Sequence, residues 1–263
     1  MLKKRVVTAV VAGLVALFGI LWGEFPWHLL VWVGTLAGTM EYCTMLGFSR
    51  FDVLTIWTMI VVSVFLWWFP LHLAVIVPVV MAVAMMWPVM TKNRVTVVKS
   101  SAAVVGAFYL GYGGVSLAYI RSGSHGIAWI FLLLISIWMT DTVAFFAGKA
   151  FGGPKLWPAI SPAKTISGAL FGVAGGAVGA IVWGFIAFPG FHPLGFAWLG
   201  AVISVAGQMG DLVESAYKRS AGVKDSGNIL PGHGGLLDRV DSLFFSAPVL
   251  YFLLGAGYLT WFR

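Results

Sequence analysis

Charge is scarce in this chain. Only 10% of its 263 residues are Asp, Glu, Lys or Arg, while 60% are hydrophobic; an average soluble domain is roughly a quarter charged. With a mean hydropathy of +0.96, this excludes an ordinary soluble domain and leaves an integral membrane protein. Cysteine is nearly absent: the single Cys43 rules out an intrachain disulfide and reads as a small core residue within an apolar run. The sequence also lacks paired halves or an internal repeat, which argues against a transporter built on inverted repeats. Among the histidines His28, His72, His125 and His192, no two have metal-ligand spacing.

Long apolar runs are abundant. They cover about residues 6–23, 26–46, 53–69, 71–90, 101–120, 127–147, 168–188, 194–217 and 242–262, each near the ~20 residues a helix needs to cross a bilayer. Lys3, Lys4 and Arg5 precede the first run, as in a signal peptide, but the run is long and no small-x-small cleavage site follows it, so it reads as a retained span. With the N-terminus inside, 14 of the 16 basic residues fall in inner segments and only Arg121 and Arg263 in outer ones. His28, His72, His125 and His192 fall in the short outer loops, and His233 alone is inside. The expectation is an all-α, polytopic bundle of about nine transmembrane helices with a cytoplasmic N-terminus. It forms a single membrane domain, with N-terminal helices over 1–140 and, over 141–263, C-terminal helices whose cytoplasmic loops carry the chemistry. The net charge of +7 then reflects topology and anionic substrates rather than a nucleic-acid partner.

The few charges are concentrated. Residues 215–241 hold Lys218, Arg219, Lys224, Asp225, Asp238, Arg239 and Asp241 around Pro231-Gly232-His233-Gly234-Gly235. Ionisable groups are costly in hydrocarbon, so this stretch faces water or a polar cavity. Lys and Arg for phosphate oxygens, paired Asp for a divalent metal and a glycine turn that brings backbone N–H groups to an anion form the parts of a phosphoryl or nucleotidyl transfer site. Glu41, Asp141, Asp211 and Glu214 lie inside or near the ends of apolar runs. Asp211, Glu214 and Ser215 share one helix face, read as functional, the alternative being a helix-end cluster paired with Lys218. In the preceding inner loop, Pro154, Pro158 and Pro162 forbid a regular helix. Ser161, Lys164 and Thr165 there offer phosphate donors at a helix start. Gly168, Gly172, Gly175, Gly176 and Gly179 mark a close-packing face, for internal packing first and a homodimer as the alternative.

The order Ser-x-x-Lys-Arg, Lys-Asp, then Leu-Pro-Gly-His-Gly-Gly-Leu-x-Asp-Arg-Val-Asp resembles the signature of the phosphatidate cytidylyltransferases (CDP-diacylglycerol synthases), without departure between Ser215 and Asp241. Gly210 to Ser215 is similar to the family's Gly-Asp-x-x-Glu-Ser segment, and Asp141, Gly148 and Lys149 to its Asp-x-x-Ala-aromatic-x-x-Gly-Lys. The Ser-Pro-x-Lys-Thr segment departs at Ala163, commonly Lys, and at Ser167, commonly acidic or amide. Glu41-Tyr42 resembles a Glu-aromatic pair that lines a cavity; pairing of Glu41 with a loop Lys is the alternative. The likeness covers Asp141 to Asp241, and before that it is mainly one of hydropathy.

The resemblance implies transfer of a cytidylyl group from CTP to phosphatidate, with CDP-diacylglycerol and pyrophosphate as products, at a cytoplasm-facing site in a bacterial inner membrane. It implies Mg²⁺ on Asp211 and Asp241, with Asp238 as a ligand or one layer behind, and room for a second cation. Lys218, Arg219, Lys224 and Arg239 would clamp phosphates and His233 donate to one. Ser161, Lys164, Thr165, Ser215, Asp225, Asp141 and Lys149 would meet the substrates. A related CTP-dependent lipid transferase or a polyprenol kinase shares this polyanion logic.

Overall fold

The computed structural model describes residues 2–68, 73–188, 190 and 192–257. His72, Arg263 and the end of the ninth apolar run, expected to 262, lie outside them. Nine α-helices occupy the described residues: α1 (Leu2–Trp22), α2 (Glu24–Met45), α3 (Val53–Trp68), α4 (Leu73–Met90), α5 (Val97–Ser122), α6 (Gly126–Phe151), α7 (Ile166–Ala187), α8 (Pro193–Ser220) and α9 (Leu237–Gly255). Five of them, α1 and α5 to α8, are long and apolar enough to cross a membrane, and α3 and α4 are shorter apolar helices. The chain is thus all-α as expected, apart from one hairpin of β1 (Lys155–Trp157) and β2 (Ser161–Thr165) between α6 and α7.

The usual burial pattern is inverted. Large side chains such as Leu14, Phe146, Leu170 and Phe185 are exposed, while Thr35, Thr39, Thr58, Ser136 and Thr140 are fully or almost fully buried. An apolar exterior costs nothing in lipid, and the buried hydroxyls of Thr35, Thr39, Thr58 and Thr140 donate to carbonyls one turn back in their own helices, at 2.7 Å each.

The chain divides into two compact units. The first comprises Met1–Ala118 and Val223–Asp238. There α5 presents glycines to its neighbours: a Cβ on Gly114 would stand 2.6 Å from the Thr35 hydroxyl of α2, and one on Gly111 would stand 3.1 Å from the Phe65 ring of α3. Trp27 donates its indole N–H to Leu117 O at 2.8 Å, fastening α2 to α5.

The second unit comprises Tyr119–Gly222 and Arg239–Arg263. Its centre is α7, whose glycines lie against α6 and α8. A Cβ on Gly175 would reach Val143 Cβ at 2.7 Å, and one on Gly176 would reach the Thr140 hydroxyl at 2.6 Å and Ser204 Cβ at 2.8 Å. The close-packing face read from the sequence therefore turns inward. Gly152 and Gly153 follow α6 with φ of 59° and 95°, a left-handed turn that L side chains resist, and it leads straight into the hairpin. The hairpin was not expected, because its residues are proline-rich and show no apolar alternation. Pro162 is tolerated since each strand of a two-stranded sheet is an edge.

Candidate active site

In the second unit α6, the hairpin, α7 and α8 surround a cavity of about 710 Å³, within the range of small-molecule sites. Asp141 and Lys149 reach it from α6, Lys155 and Lys164 from the hairpin, Thr165 from the start of α7, and Gln208 and Asp211 from α8. Thr165 caps α7, its hydroxyl accepting Gly168 N–H at 3.1 Å. Gly148 and Gly168 let the two helices meet there; a Cβ on Gly168 would stand 2.8 Å from Ala144 O. Lys164 pairs with Asp211 at 2.7 Å, both side chains about one-third exposed (29% and 35%). Ser215 donates to the other Asp211 oxygen at 3.3 Å.

One turn further along α8, Glu214 is buried (3%) and pairs with Lys218 at 2.7 Å. The i,i+4 pair is the arrangement weighed as the alternative reading of this face; Asp211, by contrast, takes its ammonium from another element. Asp241 lies in the first turns of α9, ahead of the apolar run, and is 8% exposed. Its Oδ1 accepts Ser242 N–H at 2.7 Å. Burial first, and the Asp211 carboxylate next, push the Asp241 carboxyl up to about 6, against the opposing pull of the Ser242 N–H, a hydrogen bond with Glu214 and the Lys218 charge. Gly210 makes this approach possible, for a Cβ there would stand 2.8 Å from Asp241 O. Arg219, exposed, donates through Nε to Ile160 O in the hairpin turn at 3.3 Å. Ser161 is half-buried in β2, and Arg239 is exposed.

The rest of the signature belongs to the first unit. Lys224 and Asp225 are exposed and His233 is half-buried, with its backbone N–H bound to Leu230 O at 2.9 Å. Gly232 and Gly234 have φ of 81° and 85°. Asp238 Oδ2 accepts Ser226 N–H at 2.9 Å, the Ser226 hydroxyl at 3.0 Å and Gly235 N–H at 2.9 Å. Among the described residues no group of three or more His, Cys, Asp or Glu is arranged to hold a metal ion. The three aspartates named from the sequence thus occupy different settings: Asp211 pairs with Lys164, Asp241 is buried and feels the Asp211 carboxylate, and Asp238 ties a loop.

Gln208 and Lys155 were not singled out from the sequence. Gln208 lies three residues before Asp211 on one helix face, a spacing that would have found it; its amide nitrogen donates to Ala169 O at 3.2 Å. Lys155 carried no signal beyond its charge. Glu41 is paired with the signature loop, its Oε2 accepting Leu237 N–H at 2.8 Å, and neither ion pair found among the described residues joins it to a Lys.

Comparison with known proteins gives the same direction. The model of the cytidylyltransferase family matches residues 3–256, so the likeness extends through the N-terminal half, where mainly hydropathy had carried it. A phosphatidate cytidylyltransferase of Bacillus subtilis (strain 168) is 35% identical over 262 residues, 96% of this chain and 97% of that protein. One from Staphylococcus aureus (strain COL) is 39% identical over 174 residues, 65% of each chain. One from Brucella abortus biovar 1 (strain 9-941) is 46% identical over 153 residues, 57% of this chain and 56% of that one. The chain belongs to the cytidylyltransferase family and is a nucleotidyltransferase.

Proposed function

We propose that this enzyme transfers the cytidylyl group of CTP to phosphatidate. A phosphate oxygen of the lipid attacks the α-phosphorus of CTP, the bond to the β-phosphate breaks, and pyrophosphate leaves. The lipid phosphomonoester, with a second pKa of about 6, is already largely dianionic near neutral pH. The nucleophile therefore needs little proton removal, and repulsion between polyanions is the main obstacle. The observation that carries the reading is the second-unit cavity. It combines Lys149, Lys155 and Lys164 with Asp141 and Asp211 in a chain whose relatives bear the name phosphatidate cytidylyltransferase.

The donor set suits Mg²⁺, which takes hard oxygen ligands and is commonly held by one or two carboxylates plus substrate phosphates. Burial first, and the Asp211 carboxylate next, push the Asp241 carboxyl up to about 6, a cost that a cation bound by the two carboxylates would offset. We assign Asp211 and Asp241 as the residues that hold the ion, while Asp238 is engaged by Ser226 and Gly235. When bound, the ion supplies charge neutralisation for the phosphates. Lys164 leaves Asp211 for a substrate phosphate, Lys149 and Lys155 screen the triphosphate, and Thr165 with Ser161 offers hydroxyl donors near the start of α7. Ser215 and Lys218 hold Asp211 and Glu214 in orientation. Arg219, Lys224, Asp225, His233 and Arg239 keep the substrate roles that the signature gives them. The topology expected from the distribution of basic residues, about nine spans with a cytoplasmic N-terminus, would put this chemistry on the side where CTP is found, in a bacterial inner membrane.

The test is pyrophosphate release from CTP by purified protein in detergent with phosphatidate and Mg²⁺. Release that requires the lipid is the expected result. Release with another lipid phosphate or alcohol alone would change the acceptor, and no use of CTP under any condition would overturn the reading.

A further inference from the structure

The catalytic reading leaves one buried acid unused. Glu41, in α2, is 3% exposed, and neither ion pair found among the described residues involves it. A carboxylate in that position needs a physical reason. Its Oε2 accepts Leu237 N–H at 2.8 Å and faces the Ser226 hydroxyl at 3.5 Å, while Oε1 has no hydrogen-bond partner among the described residues. Leu237 is the first residue of α9, so Glu41 satisfies a backbone donor that the helix itself cannot, and places negative charge at the positive end of the helix dipole.

The loop is shaped to receive this carboxylate. A Cβ on Gly227 would run into Glu41 Oε1, and one on Gly235 would run into the Ser226 hydroxyl and stand 2.8 Å from Glu41 Oε2. Neither glycine is among those with positive φ, unlike Gly232 and Gly234. At 227 and 235, then, glycine is required by close approach and not by conformation. Ser226 is the hinge of the arrangement. Its hydroxyl donates to Asp238 at 3.0 Å and lies near Glu41, and its N–H bonds Asp238 at 2.9 Å.

We propose that Glu41 is a positioning residue for the reaction: its buried carboxylate locks residues 226–238 and the first turn of α9, the helix that carries Asp241 four residues beyond Leu237. The activity part of this proposal rests on the function proposed above; the structural part does not. Glu41 acts as an acceptor of fixed shape, and no proton or metal passes through it.

The test compares E41A, E41Q and G235A with the wild type in detergent, by amide hydrogen exchange and by CTP turnover with phosphatidate and Mg²⁺. In E41A the amides of residues 223–240 should exchange at least about tenfold faster, and kcat should fall by about 100-fold, the scale expected when reacting groups are misplaced by an ångström. E41Q retains a carbonyl oxygen for Leu237 N–H and should keep slow loop exchange, with kcat within about fivefold of wild type, as a rescue by shape requires. Should E41A fail to fold, G235A serves in its place, because its added Cβ displaces Ser226 and leaves Glu41 intact; it should show the same faster loop exchange and lowered kcat.

E41Q as inactive as E41A, with a well-protected loop, would mean that Glu41 works through its charge and would overturn the proposal. Unchanged loop exchange in E41A or G235A would overturn it equally. A wild type that does not use CTP would instead sink the proposed function, and the exchange comparison would still decide what Glu41 does.

Discussion

The two units use carboxylates in opposite ways. In the second, Asp211 and Glu214 are each balanced by a lysine ammonium at 2.7 Å, and Asp241 lies under the repulsion of Asp211. In the first, Glu41 and Asp238 are met by backbone N–H groups of Ser226, Gly235 and Leu237 and by one serine hydroxyl. A lysine on a flexible stem can exchange a carboxylate for a phosphate. A backbone N–H cannot leave without unfolding its loop. Partner type therefore separates Asp211, whose lysine partner is exchangeable, from Glu41 and Asp238, which are held by backbone donors of one loop.

The sharpest way to break this division is to neutralise one acid from each set. D241N should lower kcat by about 10³-fold or more, the scale associated with losing a group that stabilises transition-state charge. It should leave the melting temperature at pH 7 unchanged or higher. The sign follows from the raised carboxyl: above about 6 Asp241 is ionised at a cost in the folded state, and the neutral amide removes that cost. D238A should do the reverse to stability. It strips the acceptor from Ser226 N–H and Gly235 N–H, and each buried donor left unsatisfied costs about 1–3 kcal/mol, so thermal unfolding in detergent should move down. If D241N melts early while D238A does not, the division is wrong, and D241N at wild-type activity would remove Asp241 from the proposed metal site.

A smaller effect is expected at Lys164, whose partner is exchangeable. K164A should raise KM for CTP about tenfold, near the loss of one charge-assisted phosphate contact, with little change in kcat. An unchanged KM would exclude the hairpin from the nucleotide site.

Much of this was legible before any coordinates. The apolar runs gave the helices because lipid imposes length and hydropathy on a span, and the run at 168–188 differs from α7 (Ile166–Ala187) by two residues at the start and one at the end. The signature from Ser215 to Asp241 and the carboxylates of α8 were legible because charge in such a chain is rare enough to be conspicuous. Two features were not. The hairpin at Lys155–Trp157 and Ser161–Thr165 forms where prolines silence the usual strand pattern. The partition of Asp238 from Asp241 depends on what meets each side chain: one acceptor of the loop, Glu41, lies 196 residues from the Leu237 N–H it binds, a distance that no local spacing rule spans. Gln208 escaped because an uncharged residue in an apolar run draws no attention by composition.

The finest test of the comparison uses protons. A magnesium ion bound to Asp241 must find it ionised, so its affinity should be flat above about pH 6 and fall about tenfold per pH unit below it, as for competition with one proton. Titration of Mn²⁺ or Mg²⁺ into the purified protein without nucleotide, between pH 5 and 8, measures this. D211N removes the repulsion that helps raise the Asp241 carboxyl, so the breakpoint should move to lower pH even as overall affinity drops. D238A should leave the breakpoint where it is, because Asp238 is engaged with backbone donors. A breakpoint that shifts with D238A and stays fixed with D211N would assign the two aspartates the opposite way round, with Asp238 at the ion and Asp211 held by Lys164 as structure.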